Sequence, residues 1–81
     1  MAFPLFIFSL DRELFAGKAN TISLPGADGR IQILPNHAPL ISLLKEGEIV
    51  IEQESGDSQK LPIEGGVAEV REEKVVVLVH F

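Results

Sequence analysis

The chain has 81 residues, a formal net charge of −5 and no cysteine, tryptophan or tyrosine. A domain this short buries only about 60% of the surface its unfolded chain exposes, so a hydrophobic content of 46% implies an efficient core, an apolar patch kept for a partner, or both. Lack of cysteine excludes a disulfide framework and a thiolate zinc site; the acidic balance, with no lysine/arginine stripe, excludes a nucleic-acid surface and direct adhesion to anionic lipid.

In chain order, Phe3 to Phe8 is apolar but interrupted by Pro4. It is far shorter than the roughly 20 residues of a membrane span and lacks the basic flank and cleavage site of a secretory signal, so the chain reads as cytosolic. Ile22 and Leu24 alternate with Ser23. Pro25-Gly26 has the composition of a type II turn, and Asp28-Gly29 that of a tight hairpin loop leading into a strand over Arg30–Leu34. Ile31 and Ile33 flank Gln32 with the same period of two.

The next stretch conflicts with this pattern. Leu40, Leu43 and Leu44 have helical spacing, Asn36 could cap, Pro39 suits a first turn and Gly47 could end a helix. Local signals over Ala38–Glu46 therefore favour one or two helical turns, too short to be stable without packing. Beyond it, Ile49 and Ile51 alternate with Glu48, Val50 and Glu52. Gly56-Asp57 closes a hairpin onto Ser58–Glu64, where Pro62 between Leu61 and Ile63 implies an edge strand or a bulge. After Gly65-Gly66, Lys74–Phe81 is a near-continuous β-branched run, the pattern of a strand covered on both faces. Short segments between closely spaced turns predict an all-β sandwich or barrel in a single domain over residues 1–81.

Chemistry is sparse. His37 and His80 are the only histidines, and none of Ser9, Ser23, Ser42, Ser55 or Ser58 sits in a nucleophile-elbow context. Glu72-Glu73 and Glu52/Glu54 read as solvated faces and turns. No histidine or carboxylate spacing matches a zinc or calcium site, and the glycine pairs lack the strand–loop–helix context and lysine of a phosphate loop. Lys18 has no methionine flank of the kind that marks a biotinyl or lipoyl carrier lysine. The residues thus describe a small acidic interaction module, with no cofactor, metal or small-molecule ligand expected.

The string Leu24-Pro-Gly-Ala-Asp-Gly-Arg-Ile-Gln-Ile-Leu-Pro-Asn-His-Ala-Pro-Leu40 adds a resemblance. It closely resembles the signature of the epsilon subunit of F-type ATP synthases, and its flanks agree in order and spacing. These are Arg12-Glu-Leu-Phe-Ala-Gly17, Leu44-Lys-Glu-Gly47, Glu64-Gly-Gly-Val-Ala-Glu-Val70 and Val75-Val-Val-Leu78. The resemblance covers nearly the whole chain. It implies a flattened sandwich of about ten short strands that ties the gamma subunit to the membrane c-ring, a non-catalytic rotor part. It also implies extended structure over Ala38–Glu46, against the local helical signal. The family's C-terminal helical hairpin has no counterpart in these residues, so inhibition and ATP binding are not carried over.

Residue by residue, the resemblance places Pro35, Asn36, His37, Ala38, Pro39 and Leu40 on the gamma-facing side, with Ser9 beside them. Asp28, Gly29 and Arg30 become the expected c-ring contact, although family members often carry an acid where Arg30 stands. The implied location is the cytoplasmic side of a bacterial plasma membrane, with membrane association only through the complex. The alternative is a free-standing β-sandwich module that binds a protein or a saccharide.

Overall fold

Alternation along each strand decides which side chains enter the core. The computed structural model describes Met1–Phe81 and contains eight strands and no helix. They are β1 (Phe3–Phe8), β2 (Glu13–Gly26), β3 (Gly29–Ile33), β4 (Leu40–Leu44), β5 (Gly47–Gln53), β6 (Ser58–Ile63), β7 (Gly65–Val70) and β8 (Val75–His80). One hydrogen-bonded sheet, in the order β1-β8-β7-β4-β2-β5-β6 with β3 on β2, folds over on itself. The first half of β2 pairs with β1 and its second half with β3 and β5. The long strand β2 therefore serves both layers, β4-β7-β8-β1 and β3-β2-β5-β6. Its register against β5 shifts between Ala19 and Thr21, where the strand passes from one layer to the other, as strands that turn sandwich corners do.

The core lies between the layers. Sixteen buried residues form it, among them Leu5, Ile7, Val75, Val77 and Val79 from one layer and Ile22, Leu24, Ile33, Ile49, Ile51 and Ile63 from the other (16 in all). No buried polar side chain interrupts it. The period-two expectations for Ile22/Leu24, Ile49/Ile51 and Leu61/Ile63 hold, with Leu61 half-buried against the core.

Two local expectations change. Pro25-Gly26 is not a turn but the buried end of β2. Gly26 is there because a Cβ would lie 2.6 Å from the Gly29 carbonyl oxygen and 2.7 Å from Ile31 Cδ1. The type II turn forms instead at Leu34-Pro35-Asn36-His37. His37 N–H donates to the Leu34 carbonyl at 3.2 Å, and Asn36, after proline, takes φ +65°, the positive value that the third turn position requires. The helical signal over Ala38–Glu46 is overridden. Leu40–Leu44 is a strand paired in register with five residues of β7, from Leu40↔Val70 to Leu44↔Gly66. Nine residues of marginal helix cannot compete with a sheet edge that supplies both hydrogen bonds and an apolar surface.

Pro62 sits where its lack of an N–H does no harm. The Gln53 N–H bond to the Asp57 carbonyl, 2.8 Å, makes Glu52↔Ser58 a non-hydrogen-bonded pair, and by alternation Glu48↔Pro62 is another. Pro62 therefore faces the open side of β6, which pairs only with β5. Together with Lys60, also on an outward position, it guards that edge against a foreign strand.

Candidate functional site

Because β4, β7, β8 and β1 are side by side, their outward side chains form cross-strand rows. Leu43, Val67, Leu78 and Phe8 make one continuous row. Ile41, Glu69, Val76 and Phe6 make the next. Ile41 is 73% exposed, Leu43 66%, Leu78 44% and Val67 38%, and Leu10 adds an exposed side chain at the edge of the first row. The expectation that Lys74–Phe81 is covered on both faces is therefore half met. Val75, Val77 and Val79 are buried, whereas the other face of β8 is left open by the chain itself.

The rim of this face is polar. Arg71 Nη2 donates to Glu69 Oε1 at 3.0 Å, and Lys74 Nζ lies 5.9 Å from the Phe6 ring centroid, within cation–π range. The hydrogen bond from Arg71 holds the Glu69 carboxyl below its ordinary pKa, and the Glu69 carboxylate raises Arg71 in turn. At the other end of the face, Gly65 and Gly66 let β8 approach closely. A Cβ on Gly65 would stand 2.6 Å from His80 Nε2, and one on Gly66 would collide with the Leu78 carbonyl oxygen. The Gly-Gly pair is thus a packing requirement beneath the apolar rows, not a phosphate cradle.

The residues singled out by sequence divide between the two ends of the sandwich. Pro35, Asn36, His37, Ala38 and Pro39 form the loop before β4, and the first three share a small cleft with Phe3, Arg71 and Lys74, beside the start of β1 and the β7–β8 turn. His37 Nδ1 donates to the Ala38 carbonyl at 2.7 Å, and Nε2 has no partner within the chain. Leu40 is turned inward against the core, and the side chain β4 offers outward is Ile41. Ser9 lies at the far end of β1, about 20 Å along a six-residue strand, and is not brought beside His37. Its N–H bonds to the Arg12 carbonyl at 2.8 Å and its hydroxyl to Asp11 Oδ1 at 2.7 Å, a bond that lowers the Asp11 pKa. The apolar rows connect the two places, with the His37 loop at one end and Ser9-Leu10 at the other.

The two-residue tip of the β2–β3 hairpin, at the Ser9 end, is Ala27-Asp28, and Gly29 opens β3 opposite Gly26. Arg30 does not project with them. Its guanidinium folds back over the sheet, with Nε and Nη2 donating to Ser23 Oγ at 3.1 and 3.0 Å and Nη2 to the Glu48 carbonyl at 2.6 Å. It clamps β3, β2 and β5 together. Arg30 is therefore a strand-bridging residue, and Asp28 is the charge left at the tip. No three imidazole, thiol or carboxylate groups gather closely enough to hold a metal ion.

Sequence reasoning missed Phe6, Phe8, Ile41, Leu43, Val67, Leu78 and Glu69. The signal was present in the alternation of Ile41 with Leu43 and of Val76 with Leu78. It is masked by the local helical signal over Ala38–Glu46 and by the reading of Lys74–Phe81 as covered on both faces.

A small all-β module with an open apolar sheet face and no assembled catalytic group is, as a class, a docking domain. The family model described as the ATP synthase delta/epsilon chain β-sandwich domain matches residues 2–81, and the chain belongs to that family. It superposes with TM-score 0.90 on a chain in the cryo-EM structure of the Euglena gracilis mitochondrial ATP synthase in rotational state 1, at 22% identity, over 96% of this chain and 50% of that one. It also superposes with TM-score 0.82 on a chain of the Tetrahymena thermophila mitochondrial ATP synthase central stalk and c-ring, at 13% identity, over 100% of this chain and 65% of that one. At these identities the likeness is one of fold. The chain spans between half and two-thirds of the length of these neighbours.

Proposed function

We propose that this chain is a non-catalytic rotor-stalk subunit of an ATP synthase, coupling the gamma subunit to the c-ring. The observation that carries the reading is the pair of apolar rows on β4-β7-β8-β1 in a chain of the delta/epsilon family. Burying them behind a partner removes exposed Ile, Leu, Val and Phe surface from water, worth roughly 25 cal/mol per Å² before the costs of association. The gamma subunit docks on this face, with Pro35–Pro39 and Ser9 at its two ends. Pro35 and Pro39 hold the loop in its bound shape, which lowers the entropy lost on docking. The β2–β3 hairpin, with Asp28 at its tip and Gly29 next to it, meets the c-ring loops.

The location that goes with this reading is peripheral to a membrane, held there through the complex. Its finer part, the cytoplasmic side of a bacterial plasma membrane, rests on the resemblance of the Leu24–Leu40 string alone, and the two solved neighbours are mitochondrial. Fractionation of native membranes, with release of the chain by low-salt washing, checks it.

The free-standing alternative is less well supported. A saccharide site needs an aromatic platform together with convergent polar groups. Here Phe6 and Phe8 lie on the apolar face, while Ser23, Gln32, Arg30 and Glu48 lie on the opposite one. Co-purification with the gamma subunit of the same organism tests the proposal. A complex at micromolar concentration is expected, and its absence contradicts the rotor reading.

A further inference from the structure

Glu69 is the one ionisable side chain inside the apolar rows. Its row neighbours are Ile41 on β4 and Val76 on β8, with Phe6 beyond. Oε1 accepts from Arg71, and no side chain or backbone group of the chain donates to Oε2. In the free protein water serves that oxygen. A partner laid across the rows expels the water, and a carboxylate oxygen left without a donor in such a place is costly.

The surrounding charges say what kind of donor completes the site. Arg71 is the one cation bonded to Glu69, at Oε1, and Lys74 acts on it only from a distance, from its place over the Phe6 ring. Oε2 is left for a donor from outside the chain, and a carboxylate oxygen bonds most strongly to a cationic one. Resting on the docking of gamma at this face, we infer that Glu69 is a specificity-determining contact that receives a basic side chain of the partner. The segment of gamma that covers β4-β7-β8-β1 is thus an apolar strip carrying one lysine or arginine opposite Glu69. The apolar rows supply area, and the Glu69 contact fixes the register in which the strip is laid down, since a shifted strip strands both charges.

The test measures binding of the gamma subunit from the same organism to the chain and three variants, at low and at moderate salt. Circular dichroism and thermal melting check that each variant is folded. Leu43→Asp reads the docking face itself and weakens binding about thirtyfold or more. Glu69→Gln keeps the shape and an acceptor oxygen but removes the charge. It weakens binding about tenfold or more at low salt and flattens the salt dependence seen for the parent chain. Arg71→Gln leaves affinity unchanged or improves it, because it removes a competing cation from Glu69.

Binding of Glu69→Gln within twofold of the parent, with the same salt dependence, overturns the inference while a loss in Leu43→Asp leaves the docking face standing. A loss in Arg71→Gln equal to that in Glu69→Gln also overturns it, since Glu69 then acts through the intramolecular pair. Normal binding by Leu43→Asp removes the docking face, and the inference falls with it.

Discussion

The two outer faces of the sandwich back onto the same core and differ in almost every outward residue. On β3-β2-β5-β6 the exposed positions are Thr21, Ser23, Arg30, Gln32, Glu48 and Glu52, with Val50 as the single aliphatic member of the central groove. On β4-β7-β8-β1 they are Ile41, Leu43, Val67, Val76, Leu78, Phe6 and Phe8, with Glu69 as the single acid. The polar face satisfies itself, because Arg30 is already bonded to Ser23 and Glu48 and hydroxyl, amide and carboxylate groups meet water freely. The apolar face cannot. A sheet needs only its inner face apolar to fold, so side chains such as Ile41 and Leu43 are not explained by folding and point to a partner.

The largest break in the comparison comes from placing one carboxylate on each face. Leu43→Asp is expected to weaken gamma binding about thirtyfold or more with little change in melting temperature, whereas Gln32→Glu leaves binding as it was. Titration of each variant against the parent by calorimetry reads both. Gly66→Ala attacks the frame beneath the apolar rows. Its Cβ meets the Leu78 carbonyl, so β8 must shift, and urea unfolding should register a loss of about 2 kcal/mol together with weaker binding. On the polar side, Arg30→Ala removes the bonds to Ser23 and Glu48 and should cost about 1 kcal/mol in the same assay, with affinity for gamma unchanged.

The smallest effect is that of acid. Asp11 is held below its ordinary pKa by the Ser9 hydroxyl and Glu69 by Arg71. Each lowered carboxyl stabilises the fold above its unfolded pKa, and that contribution is lost as pH falls through the folded value. Both groups are at the surface, so melting temperature should decline only slightly below about pH 4.5. Ser9→Ala should reduce the Asp11 share of that decline without touching the Glu69 share.

The layout of the core was legible in the sequence because burial on one side of a strand writes a period of two. Ile22/Leu24, Ile49/Ile51 and Leu61/Ile63 could be assigned without the structure, and of the edge strand or bulge that Pro62 implies, the pairing selects the edge strand. The docking face was not legible in the same way. Leu40, Leu43 and Leu44 have helical spacing, and locally that signal wins; the strand follows from pairing with Val67–Val70 on a distant part of the chain. Val75–His80 showed that both faces of β8 are apolar, but a sequence cannot say whether the second cover is the same chain or another. The side-chain hydrogen bonds were hidden for a related reason. Nothing near Arg30 in sequence indicates that it reaches Glu48, and Ser9 joins Asp11 only once the turn after β1 has formed.

Methyl-group NMR of the labelled chain during addition of gamma tests the central claim most directly, because Val50 on the polar face is an internal control. Methyl signals of Ile41, Leu43, Val67 and Leu78 are expected to shift or broaden while Val50 is unmoved. Movement of Val50 with Ile41 and Leu43 unchanged would contradict it, assigning the partner to the other face.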